Sequence, residues 1–278
     1  MPRRIRPLDR EGKPSPDGKI VLLTIGFSNT LQCSKGFLDA AREERDTNPS
    51  VVLVNGAQGG KSAFQIQNPD DGSIGTKYWK EWVADKLKAA DVTAAQVQVI
   101  WLKETDAALG PAVLQALGVK DYEPPTRQSF PKSAQTLQGE LEKIVQAIHR
   151  LYPNAKLVYV SSRSFGGWAR REGNKEPFSY ETGYAVKWLI EKQLAGDGSL
   201  NFDPARGPVK APWLSWGPYL WANGDSKRAD GLSFRYDDFR DDDRMHHSAA
   251  GIKKMGNVLL QFFKTDTTTK GWFVKPGR

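Results

Sequence analysis

Ile20-Val21-Leu22-Leu23-Thr24-Ile25-Gly26-Phe27-Ser28-Asn29-Thr30 is the stretch on which the fold turns. A short, β-branched apolar run that stops at a glycine and a serine reads as a buried strand over 20–25 followed by a turn. Three more runs share that character, at 51–55, 97–102 and 157–161. Helical periodicity separates them. In the clearest example Leu137, Leu141, Ile144, Val145 and Ile148 recur at spacings of three and four, which predicts one apolar stripe against a sheet and leaves Glu140, Glu142 and Lys143 in water. Further helices are predicted over 77–90 and 248–263. Strands that are continuous apolar runs alternating with helices predict an α/β protein whose mainly parallel sheet is covered on both faces, a three-layer α/β/α sandwich.

With 278 residues and no repeat or linker, the chain reads as one domain over 1–278, with an N-terminal extension at 1–18 and a polar C-terminal tail at 265–278. Segment 1–18 is positively charged but lacks the apolar stretch of a secretion signal, and nowhere does an apolar run approach the roughly 20 residues that span a bilayer. Either a cytoplasmic or an exported protein fits. The lone Cys33 excludes an intrachain disulfide and a cysteine-based metal cluster. The net charge of +8 does not point to nucleic acid, because 32 acidic residues are interspersed with the 40 basic ones and the one tight basic cluster is Arg3, Arg4 and Arg6 in the extension.

Ligands of such sheets lie beyond the carboxyl ends of the strands, so the residues that follow each strand carry the chemistry. Ser28 follows the first, on a turn before a helix expected to begin near Leu31. It suits a nucleophile whose neighbouring amides point outward, and equally a helix N-cap. The second strand leads into Asn55-Gly56-Ala57-Gln58-Gly59-Gly60, the third into Lys103-Glu104-Thr105-Asp106, the fourth into Ser162-Arg163-Ser164-Phe165-Gly166-Gly167. The chain has three histidines. His149 is expected on the solvated side of a helix. His246 and His247 stand before the last helix in Asp241-Asp242-Asp243-Arg244-Met245-His246-His247-Ser248, where Asp-x-x-His on a loop lets a carboxylate bend back and hold the imidazole tautomer.

These blocks, in this order, resemble the SGNH (GDSL-like) hydrolases, and the resemblance runs from about Lys19 to Phe263. It implies a flavodoxin-like five-stranded parallel sheet and a serine esterase. Gly26-Phe27-Ser28-Asn29 is similar to the family's first block and implies Ser28 as nucleophile and oxyanion donor. The Gly59-Gly60 segment is similar to the second and implies Gly60 as a backbone donor to the oxyanion hole, with Gly59 the near alternative. Asp243-Arg244-Met245-His246 is similar to the last and implies Asp243 and His246 as triad partners. Two departures stand out: the first block has Phe27 where the family often has aspartate and Asn29 where leucine is frequent, and Thr105 stands where the oxyanion-binding asparagine of the third block is expected. A threonine hydroxyl donates one hydrogen bond but reaches less far than an amide, so Lys103 or a water could serve instead.

Nine tryptophans are many for this length. Trp168, Trp213, Trp216 and Trp221 fall outside the periodic faces, in segments rich in glycine and proline, with a short strand expected near 213–216 inside the long 196–224 loop. Flat rings can stack on sugars or simply bury loops. The expected substrate contacts are Trp168 and Trp216, with Glu181 of Tyr180-Glu181-Thr182-Gly183-Tyr184 adding a polar one. The leading expectation is hydrolysis of a small acyl ester, such as acetyl, on a small molecule or a carbohydrate. The alternatives are a lipid or thioester hydrolase and a noncatalytic carbohydrate-binding protein on a decayed hydrolase scaffold. No cofactor or metal is expected, since acyl transfer by a triad requires neither.

Overall fold

The computed structural model describes residues 4–106, 114–115, 123 and 128–275. Arg3 and the end of the tail, 276–278, lie outside them. Five strands, β1 (Ile20–Gly26), β2 (Val51–Asn55), β3 (Val97–Lys103), β4 (Leu157–Val160) and β5 (Trp213–Trp216), form one sheet in the order β2-β1-β3-β4-β5. Every pairing is parallel. This is the three-layer α/β/α architecture that the run pattern predicts, and the order reverses between β1 and β3, where such sheets hold their ligands. Strands β1, β3 and β4 are buried along their whole length, which is why they lack apolar-polar alternation.

On one face of the sheet lie short helices α2 (Ala63–Ile66) and α3 (Ile74–Lys77), a π-helical stretch (Tyr78–Val83), α4 (Ala84–Ala89), and long helices α5 (Lys132–Leu151) and α6 (Phe178–Leu194). Leu23, Ile100 and Val158 meet Leu141, Ile144, Val186 and Leu189 there. On the other face lie α1 (Ser28–Glu43), α7 (Ala249–Thr265) and α8 (Lys270–Phe273), where Leu22, Trp101 and Tyr159 meet Phe37, Leu259 and Phe263. Helices α1 and α7 cross closely at Gly36 and Gly256. A Cβ on Gly36 would come within 2.1 Å of the Ile252 carbonyl oxygen, so only glycine permits this approach.

Several local expectations are corrected. Helix α1 begins at Ser28, not near Leu31, and its N-cap is Phe27, so the Ser28 hydroxyl is not spent on capping. Glu140 is buried, because α2 and α6 cover α5 on further flanks and widen its apolar stripe. His149 is half-buried rather than solvated, its pKa lowered chiefly by burial. The short strand expected near 213–216 is, as expected, present as edge strand β5. The N-terminal segment is docked, not loose: Ile5 and Leu8 are buried, and Gln96 and Gln98 bond the backbone of Leu8 and Arg6. At the other end α8 buries Trp272 and Phe273. Among the described residues no helix is long and apolar enough to cross a membrane.

Candidate active site

Gly26 ends β1 at a φ of 151°, and a Cβ there would lie 2.1 Å from the Lys103 carbonyl oxygen. A bare backbone therefore lets β1 run against β3 and turn sharply into α1. Phe27 and Asn29 on either side point inward and are buried, while Ser28 between them is half-exposed. As the first residue of α1, Ser28 stands where helix amides have no intrahelical acceptor.

The partner of Ser28 comes from the far end of the chain. His246 Nε2 lies 2.8 Å from Ser28 Oγ, and its Nδ1 is hydrogen-bonded to Asp243 Oδ2. The other carboxylate oxygen, Oδ1, accepts the amides of Met245 and His246, each at 2.9 Å. Arg244 makes this tight loop possible by taking a φ of 52°, a region costly for a non-glycine residue. Its guanidinium lies 3.5 Å from the Tyr236 ring centre and donates to the Tyr236 and Phe239 carbonyls. Burial works to raise the pKa of Asp243, but bonds from the His246 ring and the two amides outweigh it and hold the carboxyl below its ordinary range. Asp243 is thus a carboxylate at neutral pH, fixing a proton on Nδ1 and leaving Nε2 to accept from the serine hydroxyl.

Two residues to which sequence reasoning gave no role in the site clamp this loop to α1. Asn29 Nδ2 donates to the Met245 carbonyl, and Gln32 both accepts from the His247 amide and donates to the His247 carbonyl. The signal was available: two amide side chains three apart share one helix face beside Ser28.

Around the serine, the position of a Cβ on Gly59 would be 3.8 Å from Ser28 Cβ, whereas one on Gly60 would meet nothing within 4 Å. The Thr105 amide donates to Glu104 Oε1, which leaves only its hydroxyl for any other donation. Thr105 borders a cavity of about 20 Å³ with Ser133, Arg163 and Glu181, the last accepting from Ser133 Oγ at 3.2 Å. Glu181 therefore sits beside Thr105. The other two expected substrate contacts are dispersed: Trp168 packs on Phe165, Tyr236 and Phe239, and Trp216 lies at the outer edge of the sheet.

Behind Ser28, His246 and Asp243 is a polar layer. Lys103 is fully buried, and its Nζ has no hydrogen-bond partner among the described residues, with the Phe27 ring centre 5.4 Å away. Burial brings its pKa down to about 8. Arg163, lowered to about 10 by burial, donates to Asn174 Oδ1. Burial pushes Glu104 well above the carboxylate range. His247 points inward against Phe239 and Phe234, its Nε2 3.5 Å from Ser164 Oγ, and burial followed by the Lys103 charge lowers its pKa to about 3.

No protein-family model and no curated protein matches the chain. Among solved structures it is similar to a lipase from a goat rumen metagenome, with 16% identity and a TM-score of 0.46 over 87% of this chain and 96% of that one. It is also similar to a Bacillus subtilis protein, with 11% identity and a TM-score of 0.44 over 91% of this chain and 58% of the other. A third similar structure is a carbohydrate esterase, at 13% identity and a TM-score of 0.45 over 91% of this chain and 67% of that chain.

Proposed function

We propose that this protein is a serine esterase of the SGNH type that removes a short acyl group from its substrate. The observation that carries the reading is the continuous line from Asp243 through His246 to Ser28 Oγ, at the carboxyl ends of β1 and β3. In the first step Ser28 Oγ attacks the ester carbonyl carbon while its proton passes to His246 Nε2. The imidazolium so formed is stabilised by the Asp243 carboxylate, and the oxyanion is held by the backbone amides of Ser28 and of the Gly59-Gly60 segment, with the Thr105 hydroxyl as a weaker third donor. Collapse expels the alcohol, which takes the proton from Nε2. Water, deprotonated by the same nitrogen, then frees the acid and restores the serine.

A short acyl group suits the surroundings of Thr105. The cavity there holds only about 20 Å³, too little for a long acyl chain, and mixes apolar Ala134, Leu137 and Phe178 with Arg163, Glu181 and hydroxyls.

The test is turnover of p-nitrophenyl acetate, butyrate and octanoate by wild type and by Ser28→Ala. We expect hydrolysis of the acetate, little of the octanoate, and none above background in the variant. A preference for octanoate would move the reading to a lipid hydrolase. Absence of turnover on all three would leave the scaffold a binding protein, and activity retained by Ser28→Ala would remove the serine from the mechanism.

A further inference from the structure

On the triad's side of the sheet but at its opposite edge, the carboxyl end of β5 and the first turns of α6 enclose an open groove of about 500 Å³. Tyr180, Tyr184, Trp216 and Tyr219 line it, with Lys187 at its margin. Tyr180 is 42% exposed, and Trp216 and Tyr219 are each 37% exposed. Large rings left this open, side by side, are unusual in a soluble fold and mark a binding surface.

The rings are held rigidly. Trp216 is in register with Val160 at the end of β4, and the next residue, Gly217, donates its amide to the Val160 carbonyl. Trp216 and Tyr219 meet nearly edge to face, at 87°, and Tyr180 and Tyr184 do the same at 82°. The Arg228 guanidinium lies 5.1 Å from the Tyr219 ring centre and donates to the Tyr219 carbonyl. A platform ordered in advance loses little conformational entropy when a ligand arrives.

From β1 to β5 are three strand spacings, ~14 Å. The strand ends in between carry Thr105 and Asp106 after β3, and Arg163 and Ser164 after β4. Among the described residues the strand ends between the groove and Ser28 are thus polar, which suits a polar chain better than an acyl chain. A sugar ring offers C–H faces to aromatic rings and a rim of hydroxyls, which phenol groups and a lysine ammonium can bond.

We propose that this groove is a distal glycan subsite, a platform for a sugar ring of the same chain whose ester is presented to Ser28. The proposal rests on the esterase reading and gives it a substrate class: acylated oligosaccharides or polysaccharides longer than the unit that bears the ester. The groove recognises the carbohydrate, and the triad acts on its substituent.

An array of neutral and acidic oligosaccharides of two to six units, followed by calorimetric titration of the best-bound hexasaccharide, tests the groove without any need for turnover. Wild type should bind, with hexasaccharides preferred to disaccharides. Trp216→Ala and Tyr219→Ala should each weaken binding roughly threefold to tenfold, and Trp216→Tyr, which keeps a flat ring, should recover most of it. On O-acetylated forms of the same sugars, KM should rise by the same factor in the alanine variants while kcat holds. Absence of binding across the array, equal affinity in the alanine variants, or a parallel fall in kcat would each overturn the subsite. Hydrolysis of p-nitrophenyl acetate without glycan binding removes the subsite alone. Glycan binding without hydrolysis of any ester keeps the groove as a sugar site and removes the esterase reading.

Discussion

The proposed triad and the layer behind it are built from the same kinds of residue and treat them in opposite ways. His246 and Asp243 are a fifth to a quarter exposed, and their ring nitrogens and carboxylate oxygens are bonded to each other, to Ser28 or to nearby amides. Directly behind them Lys103, Glu104, Arg163 and His247 are buried, and each has a polar atom without a hydrogen-bond partner among the described residues. The two histidines are adjacent in sequence. The difference comes from the backbone: the 241–248 loop turns on Arg244 so that one imidazole faces outward and the next inward. Pairing with the His246 ring and two amides holds Asp243 ionised, whereas burial without full pairing shifts the groups beneath toward their neutral forms.

The sharpest way to break this contrast is to exchange the histidines' fates. His246→Ala should lower kcat/KM by at least about 1,000-fold, the scale of losing a triad base, with little change in melting temperature. His247→Ala should do the reverse, lowering the melting temperature through loss of its contacts with Phe234 and Phe239 while kcat per folded molecule falls less than about tenfold. The same two measurements on both variants decide the point, and a reversed pattern would move the base by one residue.

The next effect concerns stability. A buried lysine with a folded pKa of about 8 instead of 10.5 resists protonation in the fold. Between those two values the unfolded chain binds a proton that the folded chain does not, so wild-type stability should rise with pH across that window, and the full penalty is felt below it. Lys103→Met, which fills the same volume without charge, should therefore stabilise the protein at pH 7 by at most roughly 3 kcal/mol, with the gain shrinking toward pH 10. Urea unfolding at the two pH values measures both. A less stable variant would show that the ammonium is paired in solution.

The smallest effect is expected where the two layers meet. Thr105→Val keeps the shape and deletes a hydroxyl; if that hydroxyl helps hold the oxyanion, kcat should fall about tenfold with KM nearly unchanged, since two amides remain. An unchanged kcat with a lower melting temperature would assign Thr105 to the cavity it shares with Arg163 and leave the amides as the sole donors.

Much of this was legible in the residues. The apolar runs announced four of the five strands and their parallel class, with the fifth expected as a short strand in the 196–224 loop, and Asp-x-x-His before the last helix announced a carboxylate poised on an imidazole. Local pattern suffices there, because burial on both faces and a three-residue turn write themselves into neighbouring positions. Position in space is what tertiary structure decided. That 217 intervening residues bring His246 back to Ser28, that Glu140 is covered, and that Trp216 belongs with Tyr180 and Tyr219 instead of the serine all depend on which elements become neighbours. A sequence records what each residue can offer. Which partner it meets is set by the packing of helices and strands distant along the chain, and that packing is a property of the whole core.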